Sequence, residues 1–350
     1  VIYFIKIWEE QKMKRFFSVF LVVAMALSMV ACTSGAESGT SSSPPGSAAI
    51  AAGSGSGGAK PLRVGLSLTT LTFPYYVRMR DQFMKEAEQR GWEVTYVDGN
   101  MDAGKQLSGL QDLVKKGVDV LVVGSWYFDA MTDVFEQCKE KGIPVFQIAN
   151  NQVSDLTKDF VTFAAGTAHY DGGYLGGVWC SGYLKEKGKT SVNVALMTAA
   201  TEQIKARGKG FCDGLKENGI TVKVLNEYDA SSREAAMGAA EDALTAYSDI
   251  DLFFGASAQA ALGSYDATVG AKRANVLVMG YDGEDEERKL VDKGANYIGT
   301  ITQDPAGEAT VIAEHIDQWG RGETFHQSYK VPAGIYCAKG QLTSAQVLGK

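Results

Sequence analysis

The side chains able to do chemistry are unevenly supplied in this 350-residue sequence. It holds 3 histidines and 5 cysteines, with neither a C-x-x-C nor an H-E-x-x-H spacing, so the usual zinc sites are missing. There is no G-x-S-x-G elbow and no G-x-x-x-x-G-K-[ST] loop, which removes the common routes to nucleophilic hydrolysis and to phosphate cradling. His315 shares a helical face with Ile312 and Trp319, a packing pattern rather than a catalytic one. Glycoside hydrolysis needs paired carboxylates, and Asp282 stands without a partner. What the sequence does carry is rings, amides, hydroxyls, an arginine and an aspartate. They fall at Phe73-Pro74-Tyr75-Tyr76, Ser125-Trp126-Tyr127-Phe128-Asp129, Asn150-Asn151, Arg207, Tyr228-Asp229, Ser257, Tyr281-Asp282 and Gln303-Asp304. Aromatic walls with a few polar anchors make a small-molecule cleft. They suit a carbohydrate, whose C–H faces pack on rings while its hydroxyls need both donors and acceptors. Taken singly, each has a plainer use: Tyr75, Tyr76, Trp126 and Tyr228 as core aromatics, Arg207 as a solvated helix residue, Asp282 as a cap, Asn150 as a turn. Their shared position is what raises them together.

That position follows from the elements around them. Arg63–Leu68, Trp92–Val97 and Val118–Val123 read as strands, and between them apolar residues recur at helical spacing, as in Tyr76, Met79, Phe83 and Ala87. A glycine closes each helix just before the next strand, at Gly91, Gly117, Gly142, Gly188, Gly219 and Gly294, where a left-handed C-cap is expected. The rhythm continues through Val192–Met197, Val222–Leu225, Asp251–Phe254, Val276–Met279 and Ile298–Thr302. Alternating strands and helices imply parallel sheets covered on both faces, about four strands to each half, in an α/β fold of two doubly wound lobes. The candidate residues follow the strands, where open α/β sheets bind ligands. Thr162–Leu175, rich in glycine, is expected to pass between the lobes. Gly172-Gly173 and Gly176-Gly177 read as close helix packing rather than a dinucleotide fingerprint. Cys138, Cys180, Cys212 and Cys337 lack paired spacing and read as buried free thiols.

The N-terminal stretch reads as an address. Lys14-Arg15 precede sixteen uncharged residues, Phe16–Ala31, shorter than the roughly 20 a spanning helix needs. Met29-Val30-Ala31-Cys32 resembles a bacterial lipobox, with Cys32 as the lipidated residue. Gly, Ser, Ala and Pro then dominate Thr33–Ala59, a composition that cannot bury a core and suits a tether. Glu9-Glu10 before Met13 fit a translated ribosome-binding site, so the start is expected at Met13. The formal net charge is −7 and becomes −9 once residues 1–31 are removed, with no basic face for nucleic acid.

From about Leu62 to Lys339 the chain resembles the ribose/galactose-type periplasmic binding proteins, the solute-binding subunits of ABC importers. The resemblance rests on Phe73-Pro74-Tyr75-Tyr76, Gln111–Asp119, Ala206–Phe211, Ala261-Leu262-Gly263, Gly280-Tyr281-Asp282-Gly283 and Thr300–Gln303. It implies two lobes joined by three crossings, near Thr167-Ala168, Gln303-Asp304 and Val331-Pro332, that close on a ligand like a hinge. The expected organisation is a signal peptide over 1–31, a lipidated linker over 32–60, lobe one over 61–166 plus 304–331, and lobe two over 167–303 plus 332–350. The resemblance makes Phe73, Tyr75, Tyr76, Trp126 and Asn150 the ligand residues of lobe one. Tyr228 becomes their ring-stacking counterpart in lobe two, with Arg207, Ser257, Asp282 and Gln303 as polar anchors. Where ribose binders carry an Asp-Arg pair the chain has Ala149-Asn150. Gly124 and Ser257 replace asparagines, Phe73 replaces the asparagine before the proline, and Trp126-Tyr127-Phe128 adds aromatic bulk. These departures point away from ribose to a hexose, a modified or larger saccharide, a polyol or a nucleoside.

The expected protein is an extracytoplasmic solute-binding lipoprotein, not an enzyme, acting without a cofactor or metal. Its partners would be a sugar-like ligand, ABC permease subunits and the membrane through its lipid anchor. It would act as a monomer and bind no nucleic acid. The alternative is a sensor that presents the same bound ligand to a membrane receptor or kinase.

Overall fold

The computed structural model describes residues 60–350. The leader, Cys32 and nearly all of the tether lie outside the described residues. The rest builds two sheets. The first contains β1 (Arg63–Leu68), β2 (Glu93–Asp98), β3 (Val120–Gly124), β4 (Val145–Ile148), β5 (Val161–Gly166) and β11 (Ser328–Lys330), ordered β11-β5-β4-β3-β1-β2 and parallel throughout. The second contains β6 (Ser191–Thr198), β7 (Thr221–Asp229), β8 (Leu252–Gly255), β9 (Leu277–Asp282), β10 (Tyr297–Thr302), β12 (Gly334–Cys337) and β13 (Gly340–Thr343). Its order is β13-β12-β10-β9-β8-β6-β7, parallel except at one edge, where β12 pairs antiparallel with both β10 and its hairpin partner β13.

Ten helices cover these sheets: α1 (Pro74–Arg90), α2 (Ala103–Lys116), α3 (Thr132–Glu140), α4 (His169–Glu186), α5 (Glu202–Glu217), α6 (Arg233–Ala246), α7 (Ala258–Gly270), α8 (Asp285–Asp292), α9 (Pro305–Gly320) and α10 (Ser344–Leu348). Central strands such as β3, β4, β8 and β10 are buried along their whole length, as parallel strands covered on both faces must be. The edge strands β2 and β7 keep an exposed side. The six glycines expected to close helices all have positive φ. All four cysteines among the described residues are buried free thiols.

Three expectations need correction. The sheets have six and seven strands, not four each, and the antiparallel hairpin was not foreseen. Val161–Gly166 is a buried strand, and His169 already opens α4, so the passage from one sheet to the other narrows to Thr167-Ala168. Ala164, Ala165 and Gly166 merge with the glycine-rich stretch that follows and mask a strand whose Val161 and Phe163 pack in the core.

Both sheets reverse direction of growth beside their first strand, between β1 and β3 and between β6 and β8. The carboxyl ends of strands at such a switch point are where this architecture leaves room for a ligand.

Candidate functional site

The polar centre of the site is built on the second sheet. Arg207 sits in the second turn of α5, only 5% exposed. Its Nε donates to His169 Nδ1 at 3.1 Å, and its Nη1 donates to the Ala256 carbonyl at 2.8 Å and to Asp282 Oδ1 at 3.3 Å. The guanidinium lies 3.9 Å from the centre of the Tyr281 ring. His169 must therefore be neutral with its proton on Nε2, and burial together with the adjacent Arg207 charge holds its pKa well below the usual value. Asp282 ends β9 with φ +98, a backbone state an L-residue rarely takes. That turn aims both carboxylate oxygens inward. Oδ1 also accepts from Gln303 Nε2 at 2.7 Å, and Oδ2 accepts from the Ala258 amide at the start of α7, at 3.0 Å. Ser257 caps α7, its hydroxyl accepting from the Ala260 amide at 3.2 Å. Two buried polar atoms here have no partner, Gln303 Oε1 and the Tyr281 hydroxyl. A buried unpaired group costs roughly 1–3 kcal/mol. The Tyr281 hydroxyl is packed against Gly172 of α4, where a Cβ would stand 2.0 Å from it, so Gln303 Oε1 is the one placed to accept from an incoming molecule.

Glycines let Arg207 lie this deep. On α4 and α5, Gly173, Gly177, Gly210 and Gly214 face one another so closely that a Cβ on Gly173 would stand 2.0 Å from the Arg207 carbonyl, and one on Gly210 2.1 Å from the Tyr170 carbonyl. The glycine pairs thus do what their spacing suggests, bringing two helix backbones together.

Rings come from the first sheet's loops. Phe73 caps α1 with extended backbone, and Pro74, lacking an amide proton, opens the helix. The Tyr75 and Tyr76 rings meet edge to face at 5.0 Å, both buried. Burial pushes the Tyr76 hydroxyl up to about 12, although the nearby Arg207 charge works against it. The Tyr75 hydroxyl donates to Glu308 Oε2 at 2.7 Å, and Glu308 Oε1 accepts from the amide and hydroxyl of Thr167 at 3.1 and 3.2 Å. Burial pushes the Glu308 carboxyl up to about 7. Trp126 is held by its amide, which donates to Thr69 Oγ1 at 3.1 Å, and its ring packs against Phe73 at 6.1 Å and against the cores of both sheets. Tyr127 and Phe128 do not share this place: the Tyr127 hydroxyl bonds the Met101 carbonyl, and Phe128 packs on Phe135 at 4.7 Å inside the core.

Two ion pairs join the lobes outside the site. Arg78 on α1 meets Glu284 with both nitrogens, at 2.7 and 3.0 Å, and Lys330 on β11 meets Asp171 on α4.

Not every expected residue joins this cluster. Asn150 is buried but turns its Oδ1 to the Gln152 amide at 3.0 Å and lines a separate cavity. Tyr228 lies on the edge strand β7 beside Lys205 and Glu227 in a shallow depression of its own, and it makes no hydrogen bond to the Arg207 group. Sequence reasoning singled out Tyr281 with Asp282 but missed His169 and Glu308 and, outside the site, the Arg78–Glu284 pair. Glu308 sits one turn into a helix after Asp304-Pro305, where an acid is ordinary, and nothing local tells a buried acid from a solvated one. Among the described residues no group of three or more His, Cys, Asp or Glu could hold a metal ion, and no helix is long and apolar enough to cross a membrane.

Two doubly wound sheets with anchors from one and rings from the other define a two-lobed solute-binding protein. Residues 64–324 match the periplasmic binding protein domain family, and the chain belongs to it, within the ribose/galactose type. It is similar to the ribose import binding protein RbsB of Salmonella typhimurium, 26% identical over 275 residues covering 77% of this chain and 88% of that protein. The RbsB protein of Bacillus subtilis is likewise 26% identical, over 82% of this chain and 90% of its own length. A periplasmic solute-binding protein of an ABC transporter from Actinobacillus succinogenes, solved with bound D-allose, superposes with a TM-score of 0.71 at 21% identity, over 83% of this chain and 100% of that one. The chain is a binding protein and not an enzyme.

Proposed function

We propose that the protein captures a sugar-like molecule between its lobes and hands it to the permease of an ABC importer. The observation that carries this reading is the Arg207–Asp282–Gln303 group, with an unpartnered oxygen at Gln303 and with Tyr75 and Tyr76 of the other lobe close enough to feel the Arg207 charge. Arg207 offers the donors of its Nη2, Gln303 an acceptor, and the rings an apolar face. The names of the relatives support the same class, since they import ribose or were solved with D-allose. Arg207, Asp282, Gln303, Tyr75, Tyr76, Phe73 and Trp126 are the ligand residues in this reading. Ser257 contributes by fixing α7, and Asn150 by a neighbouring cavity.

In the same reading the chain crosses between lobes at Thr167-Ala168, Gln303-Asp304 and Val331-Pro332. It is exported, held to the outer face of the membrane by a lipid on Cys32, and works as a monomer. A thermal-shift screen against pentoses, hexoses, myo-inositol and nucleosides tests the ligand class. A saturable rise in melting temperature with a sugar or polyol is expected, because a ligand that binds only the folded state stabilises it. No shift with any of them would refute the reading.

A further inference from the structure

Away from Arg207 lies a second cavity, of about 220 Å³, lined by a residue with a buried, unpartnered oxygen. Gln147, Asn150, Gln152, Ser154 and Asp129 line it from the first lobe, and Gln203 lines it from the first turn of α5. Gln147 is only 2% exposed. Its Nε2 donates to the Gln152 carbonyl at 2.9 Å, and its Oε1 has no partner. Asn151 Oδ1 and Thr201 Oγ1 are also buried and unpartnered, in residues that neighbour the lining residues Asn150 and Gln203 in sequence but do not line the cavity themselves.

The chemistry of these groups is consistent. The orphan on the cavity wall, Gln147 Oε1, is an oxygen that can accept from a hydroxyl, and no Lys, Arg or His lines the cavity. Its one charged side chain is Asp129, which accepts from the Ser154 hydroxyl at 2.6 Å. Such walls reject phosphate and carboxylate groups and accept an uncharged, hydroxyl-bearing one. At this volume the cavity falls below the roughly 300–1,000 Å³ of a site for a whole small molecule and matches a part of one. Gln203 and Arg207 are four residues apart on α5, so they share a helix face with Cβ atoms about 5–6 Å apart, on the scale of one sugar unit.

We propose that this cavity is a second subsite, taking the outer hydroxyl-rich unit of a ligand larger than a single ring while the first unit lies on the Arg207 group. The proposal rests on the sugar-binding reading above. Because walls from both lobes form the cavity, an occupant there also holds the lobes together.

Calorimetric titration of the exported protein with D-glucose, D-galactose, maltose, cellobiose, lactose and melibiose tests it, beside the variants Gln147→Leu, which removes the orphan acceptor, and Gln203→Trp, which fills the cavity from a half-buried position. At least one disaccharide is expected to bind at least tenfold more tightly than its constituent monosaccharides. Both variants should erase that gain and leave monosaccharide affinity unchanged. If Gln147→Leu fails to fold, Gln203→Trp alone decides. Monosaccharide binding with no gain for any disaccharide, or a gain that survives both variants, overturns the subsite while leaving the sugar-binding reading standing. If none of the six sugars binds, the sugar reading itself fails and the subsite falls with it.

Discussion

Glu308 shows how much one side chain can carry in this fold. It is fully buried in the first turn of α9 and joins Tyr75 of α1 to Thr167, between β5 and α4, so in the proposed function it ties a ring of the site to the passage between the sheets. Its carboxyl titrates near 7 rather than at 4.5 because burial disfavours the charge. The folded protein therefore binds a proton that the unfolded chain releases between those values. The resulting stability is fully present below about pH 4.5 and is lost as pH rises through about 7. The shift corresponds to about 3 kcal/mol. His169 works in the opposite sense, since its depressed pKa gives stability that is lost as pH falls. Comparing wild type with Glu308→Gln in urea unfolding isolates the glutamate. The advantage of wild type should shrink by about 3 kcal/mol between pH 4.5 and 8, and a difference that does not move with pH would show that Glu308 is not the titrating group.

Helix packing sets where Arg207 stands. The α4–α5 contact depends on Gly173 and Gly177 meeting Gly210 and Gly214, and Gly173→Ala should cost about 1–3 kcal/mol and displace Arg207. Gly182→Ala on the same helix meets open space and should instead be neutral or stabilising by up to about 1 kcal/mol. Equal melting temperatures for the two variants would contradict the close packing. These glycines illustrate what the sequence makes legible. Periodicity marks the strands, the glycine caps and the helix-facing glycines, because each is a local requirement of backbone geometry. It also gathers Arg207, Asp282 and Gln303, since all three follow strand ends. What it leaves hidden is non-local: the small residues of β5, flanked by β4 and β11, and Glu308, whose burial depends on helices more than 200 residues apart in the chain. Tyr228 is the converse case: it comes late in a strand, but that strand, β7, is an edge, and it makes no hydrogen bond to the Arg207 group.

At the scale of the molecule, the proposed function is the closing of one lobe on the other. Arg78 and Glu284 form a two-bond pair across the junction, with Glu284 largely buried and Arg78 partly exposed. Solvent around Arg78 limits its worth to about 1 kcal/mol, so Arg78→Ala should weaken ligand affinity severalfold through faster release, and high salt should narrow the difference from wild type. Stopped-flow release rates that are identical in the two proteins would remove the pair from the closing mechanism. The central claim is that Arg207 anchors a sugar-like ligand in the cleft between the lobes. Calorimetry of wild type and Arg207→Ala with the sugar found by thermal shift tests it most directly, with circular dichroism confirming that the variant is folded. The account predicts one saturable site in wild type and no measurable binding to the folded variant; unchanged affinity in Arg207→Ala would contradict it.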